Sequence, residues 1–145
     1  MDLASIIDAV FAPWTKPPSA SKGAMTLGAW GERVAARELH RHGVKILYRN
    51  YRAPHGGEVD LVCRHGDTLL FVEVKTRRIE KNFRPMDAVN HKKQDLIKRG
   101  ALSWLQLLGN PDIPFRFDVV EIITTKPLEI RWIENAFSLP DPFRY

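Results

Sequence analysis

The sequence predicts a single α/β domain whose elements run in the order α-β-β-β-α-β-β. Three observations lead there. Two segments carry apolar residues at helical spacing, and five short runs are rich in β-branched and aromatic residues. Glycine-containing turns join the first three of those runs. At 145 residues the chain can bury a sizeable core, and its 44% hydrophobic, 27% charged composition excludes disorder.

Residues 1–24 read as an appendage to a main domain over 25–145. Leu3, Ile6, Ile7, Val10 and Phe11 have helical spacing, which predicts a short amphipathic helix. Pro13, Pro17 and Pro18, followed by Ser19-Ala20-Ser21-Lys22-Gly23, end it and form a linker. Asp2 and Asp8 on its polar face favour docking on the domain over contact with anionic lipid.

The main domain opens with a helix over about 27–42, where Trp30, Val34, Ala35 and Leu39 make one apolar stripe and Gly43 supplies the C-cap. Glu32 and Arg33 fall outside that stripe. Strands are expected at 45–51, 58–64 and 68–75, joined by His55-Gly56-Gly57 and His65-Gly66-Asp67. The last of these is apolar on both faces before its end, as a central strand should be. A second helix over about 85–108 is stopped by Gly109-Asn110-Pro111, and strands at 115–124 and 128–134 follow.

No run of residues reaches the apolar length needed to cross a bilayer, and Met1-Asp2 does not open a secretory signal. The single cysteine, Cys63, cannot form an internal disulfide, so a reducing, cytoplasmic setting is expected. The formal charge of +5 is concentrated: residues 76–99 alone carry +5, and the rest of the chain sums to zero. Such a basic run is either a solvated helix face or a surface for a polyanion.

Where that run begins is informative, because it follows two strands that hold charge inside apolar sequence. These are Gly57-Glu58-Val59-Asp60-Leu61-Val62 and Phe71-Val72-Glu73-Val74-Lys75. In regular strands residues i and i+2 share a face, so Glu58 with Asp60, and Glu73 with Lys75, are expected to point together. A charge in an apolar strand is costly unless paired, metal-bound or at the solvent end. Asp60, Glu73 and the Val74 carbonyl are hard oxygen donors suited to Mg²⁺ or Mn²⁺, with Lys75 beside them to handle a water or a phosphate. Glu58 is placed to take a second cation or a water, and Glu32 joins if the first helix packs on the site. The competing reading is an ordinary Glu-x-Lys pair at a strand end, with Glu58 and Asp60 in solvent. Zinc is disfavoured, since the five histidines and one cysteine form no paired ligand spacing. A Ser-His-Asp signature and a glycine-rich phosphate loop are both missing from the sequence.

Four blocks of sequence resemble the bacterial YraN family (UPF0102), which is similar to restriction endonucleases and archaeal Holliday-junction resolvases. They are Gly28-Ala29-Trp30-Gly31-Glu32 with Ala35-Ala36, then Asn50-Tyr51-Arg52 with Gly57-Glu58-Val59-Asp60-Leu61. Phe71-Val72-Glu73-Val74-Lys75-Thr76-Arg77 is the most specific, and Ala88-Val89, Lys93-Gln94 and Arg116-Phe117-Asp118-Val119-Val120 complete the set, over roughly 25–137. The resemblance implies a restriction-endonuclease-like core, a mixed central β-sheet flanked by helices, and a PD-(D/E)xK site. Val59 stands where that motif usually has proline. Within it Asp60 and Glu73 would be metal ligands, Lys75 the catalytic lysine, and Glu32 the first-helix acid. Lys93 and Gln94 would reach the substrate, with Arg77, Arg78 and Lys92 in the same basic region. The expectation is a Mg²⁺-dependent nuclease on DNA rather than RNA, branched DNA included, and a homodimer as in resolvases. The alternative is a non-catalytic nucleic-acid-binding module of the same fold.

Overall fold

A computed structural model of the chain describes residues 25–78 and 89–139. The expected appendage at 1–24 and the expected first turn of the second helix at 85–88 lie outside them. The elements are α1 (Leu27–Arg41), β1 (Lys45–Arg52), β2 (Glu58–His65), β3 (Thr68–Arg77), α2 (His91–Leu107), β4 (Phe115–Ile123) and β5 (Glu129–Phe137). The order is the one expected from sequence.

Helix α1 starts where the Thr26 side chain accepts the Ala29 N–H, and Gly43 follows its end at φ +82°. Helix α2 begins later than the apolar spacing suggested. Val89 and Asn90 are not helical, and the Asn90 side chain accepts the Lys93 N–H at 2.9 Å as an N-cap. The cap residue, rather than the hydrophobic period, sets the boundary. Leu108, the last residue of the expected helix, is the C-cap and half-exposed.

The five strands form one mixed sheet in the order β1-β2-β3-β4-β5. Tight turns make β1, β2 and β3 antiparallel, whereas the crossover through α2 makes β4 parallel to β3. Strand β5 returns antiparallel and runs three residues beyond the expected end at 134. Its register shifts between Phe117 and Val119, opposite Asn135 at φ +50°. The buried Asp118 carboxylate pins that irregularity. It accepts the Asn135 N–H, the Trp132 Nε1–H and the Arg116 guanidinium. Fully satisfied in this way, Asp118 is a structural acid.

Alternate strand residues face opposite layers. Leu61, Cys63, Leu70, Val72, Val74, Val120 and Ile122 pack with Trp30, Val34 and Leu39 of α1. Val62, Leu69, Phe71 and Phe117 pack with Ile97, Ala101 and Leu105 of α2. Cys63 is an inert core thiol, pushed up to about 12 by burial and the Asp118 charge. No described helix is long and apolar enough to span a membrane.

Two close approaches bring both helices onto the charged ends of β2 and β3. A Cβ on Gly31 would fall 1.7 Å from Thr76 Oγ1, so α1 lies directly on the end of β3. On the other face Gly57, at φ +119°, would place a Cβ 2.6 Å from the Gly100 backbone nitrogen of α2. Backbone cannot yield as a side-chain tip can, and an L-residue resists that φ. Gly57→Ala is therefore expected to destabilise the fold by roughly 2 kcal/mol or more in denaturant unfolding. A cost within experimental error would mean that β2 and α2 are not held in contact there.

Candidate functional site

The regular pairing of β2 with β3 ends at Leu61 opposite Val72. One residue earlier the Asp60 side chain replaces the ladder, its Oδ2 accepting the Val74 N–H at 2.9 Å. Strand alternation also slips here, because Val59 joins the α2-side cluster and Leu61 the α1-side cluster. Asp60 and Glu58 are therefore not successive residues on one regular strand face, as the i, i+2 rule had suggested. The in-line bond to Val74 pins the Asp60 carboxylate at the junction of the two strands.

Glu73 lies on the α2 side of β3, 4% exposed. Burial pushes its carboxyl up to about 8, assisted by the charge of Asp60 and a hydrogen bond to it. Lys93 and Lys75 offset this only in part. Its Oε2 is buried and has no hydrogen-bond partner. Lys75, half-buried, sits two residues on and close enough for Glu73 to feel its charge. Glu32 approaches from α1, where the Gly31–Thr76 contact brings it in. Burial raises its carboxyl, Asp60 adds to the effect, and Asn50, Arg49 and Arg52 counter it. Asp60 is thus the shared neighbour of Glu32 and Glu73.

Glu58 has a different role from the one its spacing suggested. It forms an ion pair with Lys93 of α2 and a second with Arg52 at 3.3 Å. The hydrogen bond from Lys93 holds its carboxyl below the usual range against the opposing effect of burial. Lys93 also lies 3.6 Å from Glu73 Oε1. Burial disfavours its ammonium, but Glu58, Glu73 and Asp60 outweigh that and hold its pKa above the ordinary value. Lys93 therefore lies among the acids instead of standing clear in solvent. Gln94 is also engaged, donating from Nε2 to the Val89 carbonyl. Lys92, in the first turn of α2, and Arg78, just after β3, are exposed, and Arg77 is half-buried at the end of β3. Among the described residues no group of three or more His, Cys, Asp or Glu side chains converges as a ligand set. The candidate donors are two carboxylates, Asp60 and Glu73, with backbone oxygen nearby.

A sequence model described as uncharacterised protein family UPF0102 matches residues 31–122. The chain belongs to the UPF0102 (YraN) family. A UPF0102 protein of Geobacter sulfurreducens is 47% identical over 115 residues, covering 78% of this chain and 89% of the relative. One from Geobacter metallireducens is 44% identical over 115 residues, 79% and 93% of the two chains. Another, from Chlorobaculum tepidum, is 38% identical over 122 residues, 79% and 94%. The match takes in Glu32, Glu58, Asp60, Glu73, Lys75 and Lys93 and leaves residues 1–30 outside.

Two further polar residues bear on the UPF0102 site. Asn50, at φ +54° in β1, hydrogen-bonds to Glu32. Glu121 of β4 is 1% exposed, and neither carboxylate oxygen has a partner. Its signal was present in the sequence. Val119-Val120-Glu121-Ile122-Ile123 is an acid inside an apolar strand, the pattern that singled out Glu73.

The raised Glu73 pKa has a thermodynamic consequence. Between its unfolded value near 4.5 and about 8, the folded state holds a proton that the unfolded state has lost. Stability therefore falls as pH rises through that window. In EDTA, wild-type unfolding free energy is expected to decline from pH 5 to 8, by up to about 1.4 kcal/mol per pH unit from this group. Glu73→Gln should flatten the slope. An unchanged slope in the variant would show that Glu73 titrates normally.

Proposed function

We propose that this UPF0102 protein is a Mg²⁺-dependent nuclease that hydrolyses phosphodiester bonds in DNA, with structured or branched DNA as its preferred substrate. One observation carries the reading. A buried carboxylate, Glu73, faces a second, Asp60, keeps one oxygen without any partner, and has two lysines beside it. For a purely structural acid this arrangement is unfavourable; for a cation ligand it is useful. The fit is chemical as well as electrostatic, since hard carboxylate oxygens suit Mg²⁺ or Mn²⁺.

Asp60 and Glu73, with the Val74 carbonyl, would hold the ion. When bound, it lowers the pKa of a water and stabilises negative charge on the phosphate in the transition state. Asp60 is held for this by the Val74 N–H, which fixes its rotamer. Lys75, beside Glu73, acts in one of two ways: as an ammonium it orients the attacking water and neutralises the scissile phosphate, or as a neutral amine it takes the water's proton. Exposed Arg78 and Lys92 bind neighbouring phosphates and align the backbone with the site. Lys93 balances Glu58 and Glu73 until a cation takes over that work. Glu32, held near Asp60 by α1, adds negative charge on the opposite side. Cytoplasmic location and a homodimer, which would present two sites to a four-way junction, belong to the same proposal.

The test is cleavage of labelled linear, single-stranded, flap and four-way-junction DNA in Mg²⁺ or Mn²⁺ against EDTA. Metal-dependent cutting is expected, reduced at least about 100-fold in Glu73→Gln and Asp60→Asn. Affinity for DNA in these variants should stay equal or rise, because carboxylate–phosphate repulsion is relieved. Salt-sensitive binding without cutting on every shape would assign the chain to a non-catalytic module.

A further inference from the structure

Glu121 is the second buried acid on the face that carries Glu73, and the chemistry above leaves it without a task. Strands β3 and β4 are parallel, with Glu73 opposite Val119 and Lys75 opposite Glu121. Register partners on adjacent strands point to the same side and stand about 5 Å apart at the backbone. Lys75 and Glu121 therefore leave the same face of adjacent strands, with Glu73 two residues before the lysine, while the charges that bear on Glu121 in this structure are those of Arg131, Arg77 and Glu129.

Glu121 is shielded from water, and both of its oxygens lack a hydrogen-bond partner among the described residues. It lines a cavity of about 110 Å³ together with Val89, Gln94, Val119, Ile133 and Phe137, so it has space in front of it as well as apolar walls. Two arginines are near enough to be felt, but neither bonds to it. Arg131 is held by Glu129 at 2.7 Å, and Arg77 has a partner of its own. A carboxylate in this position weakens the fold, and residues that do so beside a reactive centre commonly serve the centre.

We propose that Glu121 is a positioning residue for Lys75, receiving its ammonium when Glu73 is committed to a cation. The inference rests on the nuclease reading for its purpose, though not for its geometry. Once Glu73 gives its charge to an ion, Lys75 loses its nearest counter-charge and gains a positive neighbour. Glu121 is then the carboxylate within reach on the same face. An ion pair there fixes the lysine head toward the scissile phosphate instead of leaving four rotatable bonds free.

The experiment compares wild type, Glu121→Gln and Glu121→Asp as full chains. The side-chain ammonium resonance of Lys75, assigned by its loss in Lys75→Arg, is followed by NMR without metal and with Mg²⁺. Added Mg²⁺ is expected to slow hydrogen exchange of the wild-type Lys75 ammonium. Glu121→Gln should abolish that protection, and Glu121→Asp should restore part of it. In the metal-free protein Glu121→Gln is expected to raise Tm, since it removes a buried unpaired charge. Single-turnover cleavage by the same variant should fall roughly tenfold or more with DNA affinity unchanged. Opposite signs on stability and turnover are not what a structural acid gives. Equal Lys75 protection in wild type and Glu121→Gln would overturn the proposal, as would a lowered Tm with unchanged turnover. Should wild type bind Mg²⁺ and show the Lys75 contrast yet cleave nothing, the positioning role stands and the nuclease reading falls.

Discussion

A buried carboxyl beside a partly buried one is an opposed pair, and much of this structure serves to hold Glu73 against Asp60 in that way. The β2–β3 ladder stops one residue short so that the Asp60 side chain can take the Val74 amide. Glycines at 31, 57 and 100 remove the side chains that would keep both helices off the strand ends. A tightly packed sheet surrounds the pair, so relaxation into solvent is not available to Glu73. The strain is electrostatic, and it is released by a proton, by a lysine or by a metal ion.

Two of these solutions are visible around Glu73, and the third is the one proposed above. A proton is retained up to about pH 8. Lys93 offers a tethered positive charge from α2, shared with Glu58. The oxygen that neither of them satisfies is where the proposed ion would bind. A site built to take a divalent cation is expected to carry such substitutes, because its acids must survive folding before the ion arrives. Lys93 thus has a role that its place in a basic run concealed.

Much of the fold was legible in the sequence because its signals are local. Alternation, glycine turns and a doubly apolar third strand give the element order and put β3 at the centre of the sheet. The start of α2 was misplaced because hydrophobic spacing outweighed a single asparagine that caps it. The site was legible as a set of residue types, since charges in apolar strands are rare enough to stand out. Its geometry was not. The slip between Val59 and Leu61 breaks the face assignment for Glu58 and Asp60, and no period in the sequence announces it. Glu121 was passed over because it belongs to a later strand, and only the parallel register brings it beside Lys75. Likewise Asp118 shares its apolar surroundings with Glu73 but is structural, since three donors satisfy it. Partners, not burial, separate the two cases.

Asp60 and Glu73 are proposed to hold a divalent cation. Calorimetric titration of the full chain with Mn²⁺, in buffers of different ionisation enthalpy, tests it without any nucleic acid. A saturable site that is lost in Glu73→Gln is expected. Release of close to one proton per ion is expected at pH 6–7, declining toward zero above about pH 8, where Glu73 has already ionised. Binding of equal strength in the variant, or no saturable binding at any pH, would contradict it.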